Sequence, residues 1–219
     1  MSYFPKGGVE LPILYIHIPK TGGSSVSEWY TQQYGTYRMC IHGSMKVDLL
    51  YNASKSMPSF TIVRNPYDLV YSWYRWMKTK LTEMKEVCDR TGMPFPRECQ
   101  YEAYSWSRGF EYWLERNIDV RSIIDDGELS FNNISPRYNQ LSYCKRDDKV
   151  CVDHFLKLEN IEQDWKIVQE ITKSPYNLGL HNRTVFRGQD YKDAHTVVTK
   201  RIVEKYYEED LETFGYTFN

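Results

Sequence analysis

Two short segments of this chain have residue types and spacing suited to chemistry. The first is Pro19-Lys20-Thr21-Gly22-Gly23-Ser24-Ser25, which follows the apolar run Ile13–Ile18. A glycine pair lets backbone N–H groups approach an anion closely. A helix starting near Ser24 or Ser25 adds unsatisfied N–H groups and a positive dipole end. Lys20 supplies a full charge, and the hydroxyls of Thr21, Ser24 and Ser25 supply donors. The lysine stands before the glycines, whereas a Walker A loop, GxxxxGK[ST], places it after them. A glycine turn beside a surface lysine would use the same residues. The succession of strand, glycine pair and capped helix favours an anion site.

The second segment is Arg64-Asn-Pro-Tyr-Asp-Leu-Val-Tyr-Ser72-Trp. Ser59–Val63, rich in β-branched residues, reads as a strand ending just before Arg64. Asn65 as N-cap, Pro66 at the first position and Asp68 at the third form a helix start. Arg64 therefore falls at the C-terminal edge of a strand, where open α/β sheets bind ligands. Ser72 lies about 10 Å further along the helix, within reach of a ligand shared with a long arginine. Taken alone, the pair reads equally well as a surface arginine and a helix serine.

The elements that must hold these segments alternate. Ile13–Ile18 has the near-continuous apolar pattern of a strand covered on both faces. Ser25-Val-Ser-Glu28 has capping-box form. Tyr37–Ile41 is a second strand candidate, and the helix after Asn65 runs through Trp73, Trp76 and Met77. From Thr79 to Asn133 the pattern is less regular, with Gly92, Pro94, Pro96 and an aromatic helix around Tyr101–Arg116. Asp153–Leu158 is a further strand, and Asn160–Thr172 is a helix with Asn160 as cap. Ser174–Asp193 is a polar loop, and a last helix over Asp193–Thr213 stops at Gly215. Strands alternating with helices predict an α/β fold with a central parallel sheet flanked by helices and right-handed crossovers. No linker is visible, so residues 1–219 are expected to form a single domain, with 79–133 as an acceptor-binding insertion.

Composition narrows the function classes. The net charge is −1, too balanced for a broad basic face gripping nucleic acid, so an anion site must be local. No apolar run spans a bilayer, and the first residues are no signal peptide, which predicts a soluble cytoplasmic protein without a membrane span. The five cysteines, Cys40, Cys88, Cys99, Cys144 and Cys151, are odd in number and fit no zinc spacing, so thiols are expected.

Together the two motifs resemble those of the sulfotransferase superfamily. PKTGGSS resembles its loop for the 5′-phosphosulfate of 3′-phosphoadenosine 5′-phosphosulfate (PAPS), a P-loop-like core in which the lysine precedes the glycines. Arg64 and Ser72 resemble its clamp for the 3′-phosphate. The resemblance is closest to the carbohydrate branch that includes the heparan sulfate 2-O-sulfotransferases. His42-Gly43 resembles that branch's catalytic histidine segment, and Phe155–Asn160 its later strand followed by Glu-Asn. Leu180–Thr184 resembles a loop closing over the nucleotide, and Tyr207–Tyr216 the terminal helix ending. Cys144 and Cys151 sit where some Golgi members carry a disulfide. This chain has neither the stem nor the anchor of those members, which points to a soluble bacterial or viral setting.

The resemblance implies transfer of a sulfuryl group from PAPS to an acceptor hydroxyl, most readily of a glycan, releasing adenosine 3′,5′-bisphosphate without a metal. Lys20 would neutralise the leaving phosphate, and the segment Lys20, Thr21, Gly22, Gly23, Ser24 and Ser25 would hold it. Arg64, Ser72 and Arg187 would hold the 3′-phosphate, and His42 would be the base. Of the other histidines, His17, in the strand that feeds the loop, reads as packing or as a residue supporting the loop from behind, His154 as a strand start, His181 as part of the nucleotide loop and His195 as a solvated helix residue. The aromatic stretch Tyr101–Trp113, with Arg75, Lys78, Lys80 and Lys85, reads as an acceptor groove or equally as an amphipathic core helix. A nucleotide kinase and a non-catalytic nucleotide- or glycan-binding module are the competing readings.

Overall fold

Adjacent strands Leu14–His17 (β1) and Ser59–Val63 (β3) pair in parallel, with Tyr15 opposite Phe60 and Ile16 opposite Thr61. In the computed structural model, which describes residues 12–35, 41–42, 57–118, 139–146, 148–179 and 190–218, they are the inner strands of a four-stranded sheet. Ile41–His42 (β2) flanks β1, and His154–Lys157 (β6) flanks β3, giving the order β2-β1-β3-β6 with every pairing parallel. Lys145–Arg146 (β4) and Lys149–Val150 (β5) form a separate antiparallel hairpin. The predicted α/β class with a parallel sheet is thus observed. Of the expected strand Tyr37–Ile41, only Ile41 lies within the described residues.

The chain divides into two compact units. Residues 1–64 and 140–186 form one, and residues 65–139 and 187–219 form the other. The sheet unit has its core where helix α1 (Gly23–Tyr34) and helix α5 (Ile161–Thr172) meet one face of the strands. Trp29 of α1 and Trp165 of α5 meet edge to face with ring centroids 5.2 Å apart, and Trp165 also packs edge-on to Phe60. Fully burying side chains of this size stabilises by about 1.5–3 kcal/mol each. Every residue of β3 is buried, in keeping with its largely apolar and β-branched composition. Its two polar members are satisfied. Thr61 Oγ1 donates to the Ile16 carbonyl at 2.8 Å, and Asp153 Oδ2 accepts from both Ser59 N and Ser59 Oγ at 2.7 Å.

Two helix starts in this unit differ from expectation. α1 begins at Gly23 with Gly22 as N-cap and no side-chain cap, so Ser25-Val-Ser-Glu28 does not act as a capping box. The amide of Ser25 is already turned back onto the Gly22 carbonyl at 3.0 Å, which places it inside the first turn. α5 follows a 3₁₀ turn, Leu158–Asn160, and Asn160 makes no side-chain cap. Asp164 reaches back instead and accepts from Lys157 N at 2.7 Å.

The second unit is helical. Asn65 caps helix α2 (Pro66–Thr91) as the sequence predicts, accepting from Tyr67 N at 3.1 Å with Pro66 as first residue. α2 runs well past Met77 to Gly92, because its outer face continues in charge pairs such as Lys80–Glu83 and Lys85–Asp89. Residues 79–118, expected to be less regular outside a helix around 101–116, are helical over most of their length. The single aromatic helix predicted for 101–116 is two, α3 (Arg97–Ser107) and α4 (Phe110–Ile118). Gly109, at φ 98°, makes the break.

The long C-terminal helix is likewise three pieces, α6 (Tyr191–Ala194), α7 (Val197–Tyr206) and α8 (Glu208–Phe214), ending at Gly215 as predicted. Thr196 restarts the chain by a capping box with Thr199, and its hydroxyl also donates to Glu111. His195, expected in solvent, is buried at the first break. Its Nε2 lies 3.0 Å from the Tyr67 carbonyl and its Nδ1 3.1 Å from Thr199 Oγ1. A carbonyl can only accept, so Nε2 carries a proton and donates it to Tyr67. Among the described residues no helix is long and apolar enough to cross a membrane.

Candidate active site

The loop after β1 is built for close backbone approach. Lys20 has φ 69° and Gly22 φ 95°, so two left-handed residues turn the chain sharply into α1. A left-handed lysine is uncommon and persists only where the surroundings impose it. Thr21 is fully buried and donates its hydroxyl to the Ile18 carbonyl at 2.7 Å, which closes the turn from within. That hydroxyl therefore holds the loop, and Thr21 offers a ligand its amide alone. Ser24 is exposed, and Ser25 is buried in the first turn. The N–H groups of Gly23 and Ser24 have no intrahelical acceptor, as at any helix start, and stand at the positive end of the helix dipole.

Gly23 is required by a neighbour rather than by its dihedral angles. A Cβ placed on it would lie 1.9 Å from Nε2 of His17, so the imidazole fills the space a side chain would need. Gly22 is also confined, with Leu158 Cδ1 at 3.2 Å from the same construction. His17 thus bears directly on Gly23, the first residue of α1.

Arg64 leaves β3 at the same edge. Its backbone is gripped by Gln140, whose Oε1 accepts from Arg64 N at 2.8 Å and whose Nε2 donates to the Arg64 carbonyl at 2.9 Å. Gln140 is fully buried, so both bonds are shielded from water. The guanidinium then reaches back, and Nη1 donates to the Lys20 carbonyl at 3.0 Å. The result is a left-handed turn, a helix N-terminus and two cationic side chains at one sheet edge. Such a set can hold a phosphate group and stabilise charge developing on it.

His42 ends β2 with its Cα in register with that of His17, which places it at the same edge. Glu159 follows β6 there as well. His154 begins β6, at the opposite edge, and His195 is held by Tyr67 and Thr199 in the helical unit. Ser72 lies in the second turn of α2, half-buried, in the helical unit. Arg187 and His181 lie outside the described residues. The supporting role of His17 behind the loop was legible from its place in the strand that feeds it, whereas residue types and spacing at the two motifs gave no sign of Gln140. The signal for Gln140 is a polar residue beside the apolar Leu141, and it becomes readable only once the strands are paired.

A model of the sulfotransferase family matches residues 10–217, a span that includes both motifs, β6 and the terminal helices. No curated protein and no solved structure gives a significant match. A match over nearly the whole length, on a parallel sheet whose first loop presents Lys20, Gly22 and Gly23 beside Arg64, places the chain in the sulfotransferase family.

Proposed function

We propose that this sulfotransferase takes its sulfuryl group from PAPS and transfers it to a hydroxyl of a carbohydrate acceptor. The observation that supports this most directly is the bond from Arg64 to the Lys20 carbonyl, which ties both proposed nucleotide-binding segments into one anion-binding edge. Lys20 and the amides of Thr21, Gly22, Gly23 and Ser24 hold the 5′-phosphate, with Ser25 closing the first turn behind them. The acceptor oxygen forms a new bond to sulfur as the bond from sulfur to the bridging phosphate oxygen breaks. Negative charge then grows on that oxygen, beside Lys20. Arg64, with Ser72 and Arg187, holds the 3′-phosphate, and His42 takes the acceptor proton. Positioning and charge stabilisation supply most of the rate, as in phosphoryl transfer.

The test begins with melting temperatures in the presence of adenosine 3′,5′-bisphosphate, ADP, and ATP with magnesium, followed by turnover of PAPS with hydroxyl acceptors. A shift with the bisphosphate well above that with ADP, and PAPS-dependent sulfation, support the reading. Preferential ATP turnover would replace it with a kinase. His42→Ala should lower turnover about 10²–10⁴-fold with nucleotide affinity intact. An active His42→Ala enzyme would move the base to another group, with Glu159 the next candidate.

A further inference from the structure

After α8 the chain returns to the start of α2. Gly215 ends α8 with a left-handed φ of 63°, and Tyr216 N then donates to the Leu211 carbonyl at 3.0 Å. Thr217 and Phe218 follow, and both meet the first turn of α2. Nδ2 of Asn65 donates to the Thr217 carbonyl at 3.0 Å, while Oδ1 of the same side chain accepts from Tyr67 N at 3.1 Å. The Asn65 amide is thus held at both ends, as a helix cap and as an anchor for the returning chain. The Phe218 ring stands edge-on to Tyr67, His195 and Tyr191 with centroids 5.0, 5.6 and 6.0 Å away. Lys200 Nζ lies 3.6 Å from the Phe218 centroid. His195 adds a further tie by donating to the Tyr67 carbonyl.

A helix N-cap needs one side-chain acceptor, and asparagine, aspartate and serine serve about equally well. Capping therefore leaves the donor end of Asn65 without a task, and here it engages a main-chain carbonyl of the returning chain. The cap is buried, so an unmet N–H or carbonyl there is costly and the bond fixes the side chain in one orientation. Arg64 immediately precedes Asn65, and Ser72 lies further along α2. A side chain that fixes where α2 begins also fixes how the backbone leaves Arg64. We infer that Thr217 and Phe218 form a positioning clasp for the donor's 3′-phosphate, holding the Asn65 cap and the Tyr67 ring so that the helix start between Arg64 and Ser72 stays in place. The inference rests on the proposal that Arg64 and Ser72 hold that phosphate. Thr217 and Phe218 do not touch the nucleotide; they act through Asn65 and Tyr67.

The test is calorimetric titration of the full chain with adenosine 3′,5′-bisphosphate and with 5′-AMP. Asn65→Ser keeps a capping oxygen and loses the bond to Thr217. Phe218→Ala removes the ring, and Phe218→Tyr keeps it. Asn65→Ser and Phe218→Ala should each cut the preference for the bisphosphate over 5′-AMP about three- to tenfold, the worth of one neutral hydrogen bond. Binding of 5′-AMP itself should be unchanged, and Phe218→Tyr should keep the wild-type preference. Asn117→Ala breaks a bond to the Trp113 carbonyl inside α4, so it should lower the melting temperature and leave the preference intact. Hydrogen exchange gives a reading without ligand. The Leu69 amide donates to the Asn65 carbonyl at 2.8 Å, and its exchange should quicken in Asn65→Ser and in Phe218→Ala. Unchanged exchange at Leu69, or a loss of preference no greater than that of Asn117→Ala, would overturn the inference. A wild-type preference that survives in both clasp variants sinks the inference alone. A wild type that binds the two nucleotides equally sinks the 3′-phosphate assignment, and the inference with it.

Discussion

Arg64 donates through Nη1 to the main-chain carbonyl of Lys20 at 3.0 Å, although the two residues stand 44 positions apart. The bond couples an arginine at the end of β3 to a lysine held in a left-handed turn after β1. A single side chain thus places a charge at this sheet edge and braces the loop that carries the other charge.

Replacing Arg64 should therefore have two consequences. The wild type should bind adenosine 3′,5′-bisphosphate roughly tenfold or more above 5′-AMP, the worth of one charge-assisted contact. Arg64→Ala should erase most of that difference and also weaken 5′-AMP modestly, because the Lys20 turn loses its brace. Titration of both nucleotides against both proteins reads this out. Equal wild-type affinities would refute the role.

Gln140 should behave as a structural residue with a functional readout. Gln140→Ala leaves Arg64 N–H and C=O unpaired in a buried place, at about 1–3 kcal/mol. For a chain of this length that corresponds to a fall of several degrees in melting temperature. Affinity for the bisphosphate should fall alongside it. A variant as stable as the wild type would show that water replaces the amide.

Lys20 calls for two variants, because its side chain and its backbone conformation are separate matters. Lys20→Gly removes the charge while keeping the left-handed turn at ease. Lys20→Ala removes the charge and keeps the left-handed strain, on the order of 1 kcal/mol, that the lysine already bears. Both should lose turnover far more than nucleotide affinity if the charge acts on the leaving oxygen. Lys20→Ala should also melt lower than Lys20→Gly.

Gly23→Ala should fail for a stated reason: the new methyl collides with the His17 ring. A loss of about 1–3 kcal/mol is expected, with weakened bisphosphate binding. His17→Ala combined with Gly23→Ala should recover much of both, a non-additive pair. A double variant no better than Gly23→Ala would mean that the glycine is needed for something other than clearance.

How much of this was legible in the sequence depends on the distance over which each feature is specified. The glycine pair, the Asn65-Pro66 start and the β-branched run 59–63 are local, and each formed as its residues predict. The capping box at Ser25 was overridden because the loop carries Gly22 into the helix start. The aromatic helix and the C-terminal helix were each read as continuous, since apolar spacing persists across breaks made by Gly109 and by Thr196. Gln140 acts on partners met only after folding, so no local pattern announces it.

Burial holds the His195 imidazole below its ordinary value of 6.5, the main cause outweighing its bond to the Tyr67 carbonyl. The unfolded chain thus takes up a proton on this group before the folded one does. Stability should be level above about pH 6.5 and decline as pH falls below it toward the lowered folded value. Melting curves from pH 7.5 to 5 should show this decline, and His195→Gln should lose the part of it due to this group. A wild-type melting temperature flat across that range would argue against a neutral buried imidazole.

The sheet unit is drawn from two stretches of chain, 1–64 and 140–186, with residues 65–139 emerging from the ribosome between them. β1 and β3 are made early, but Gln140 and β6 arrive only after the helices of the intervening stretch. Those helices share their core with Val203 and Tyr207, so they too wait for later chain, while Arg64 and Ser59 wait for partners 76 and 94 positions on. A nascent chain stalled before residue 140 would lack both the grip on Arg64 and the C-terminal residues that complete the helical core. Competence to bind the nucleotide would then mark the end of synthesis and folding.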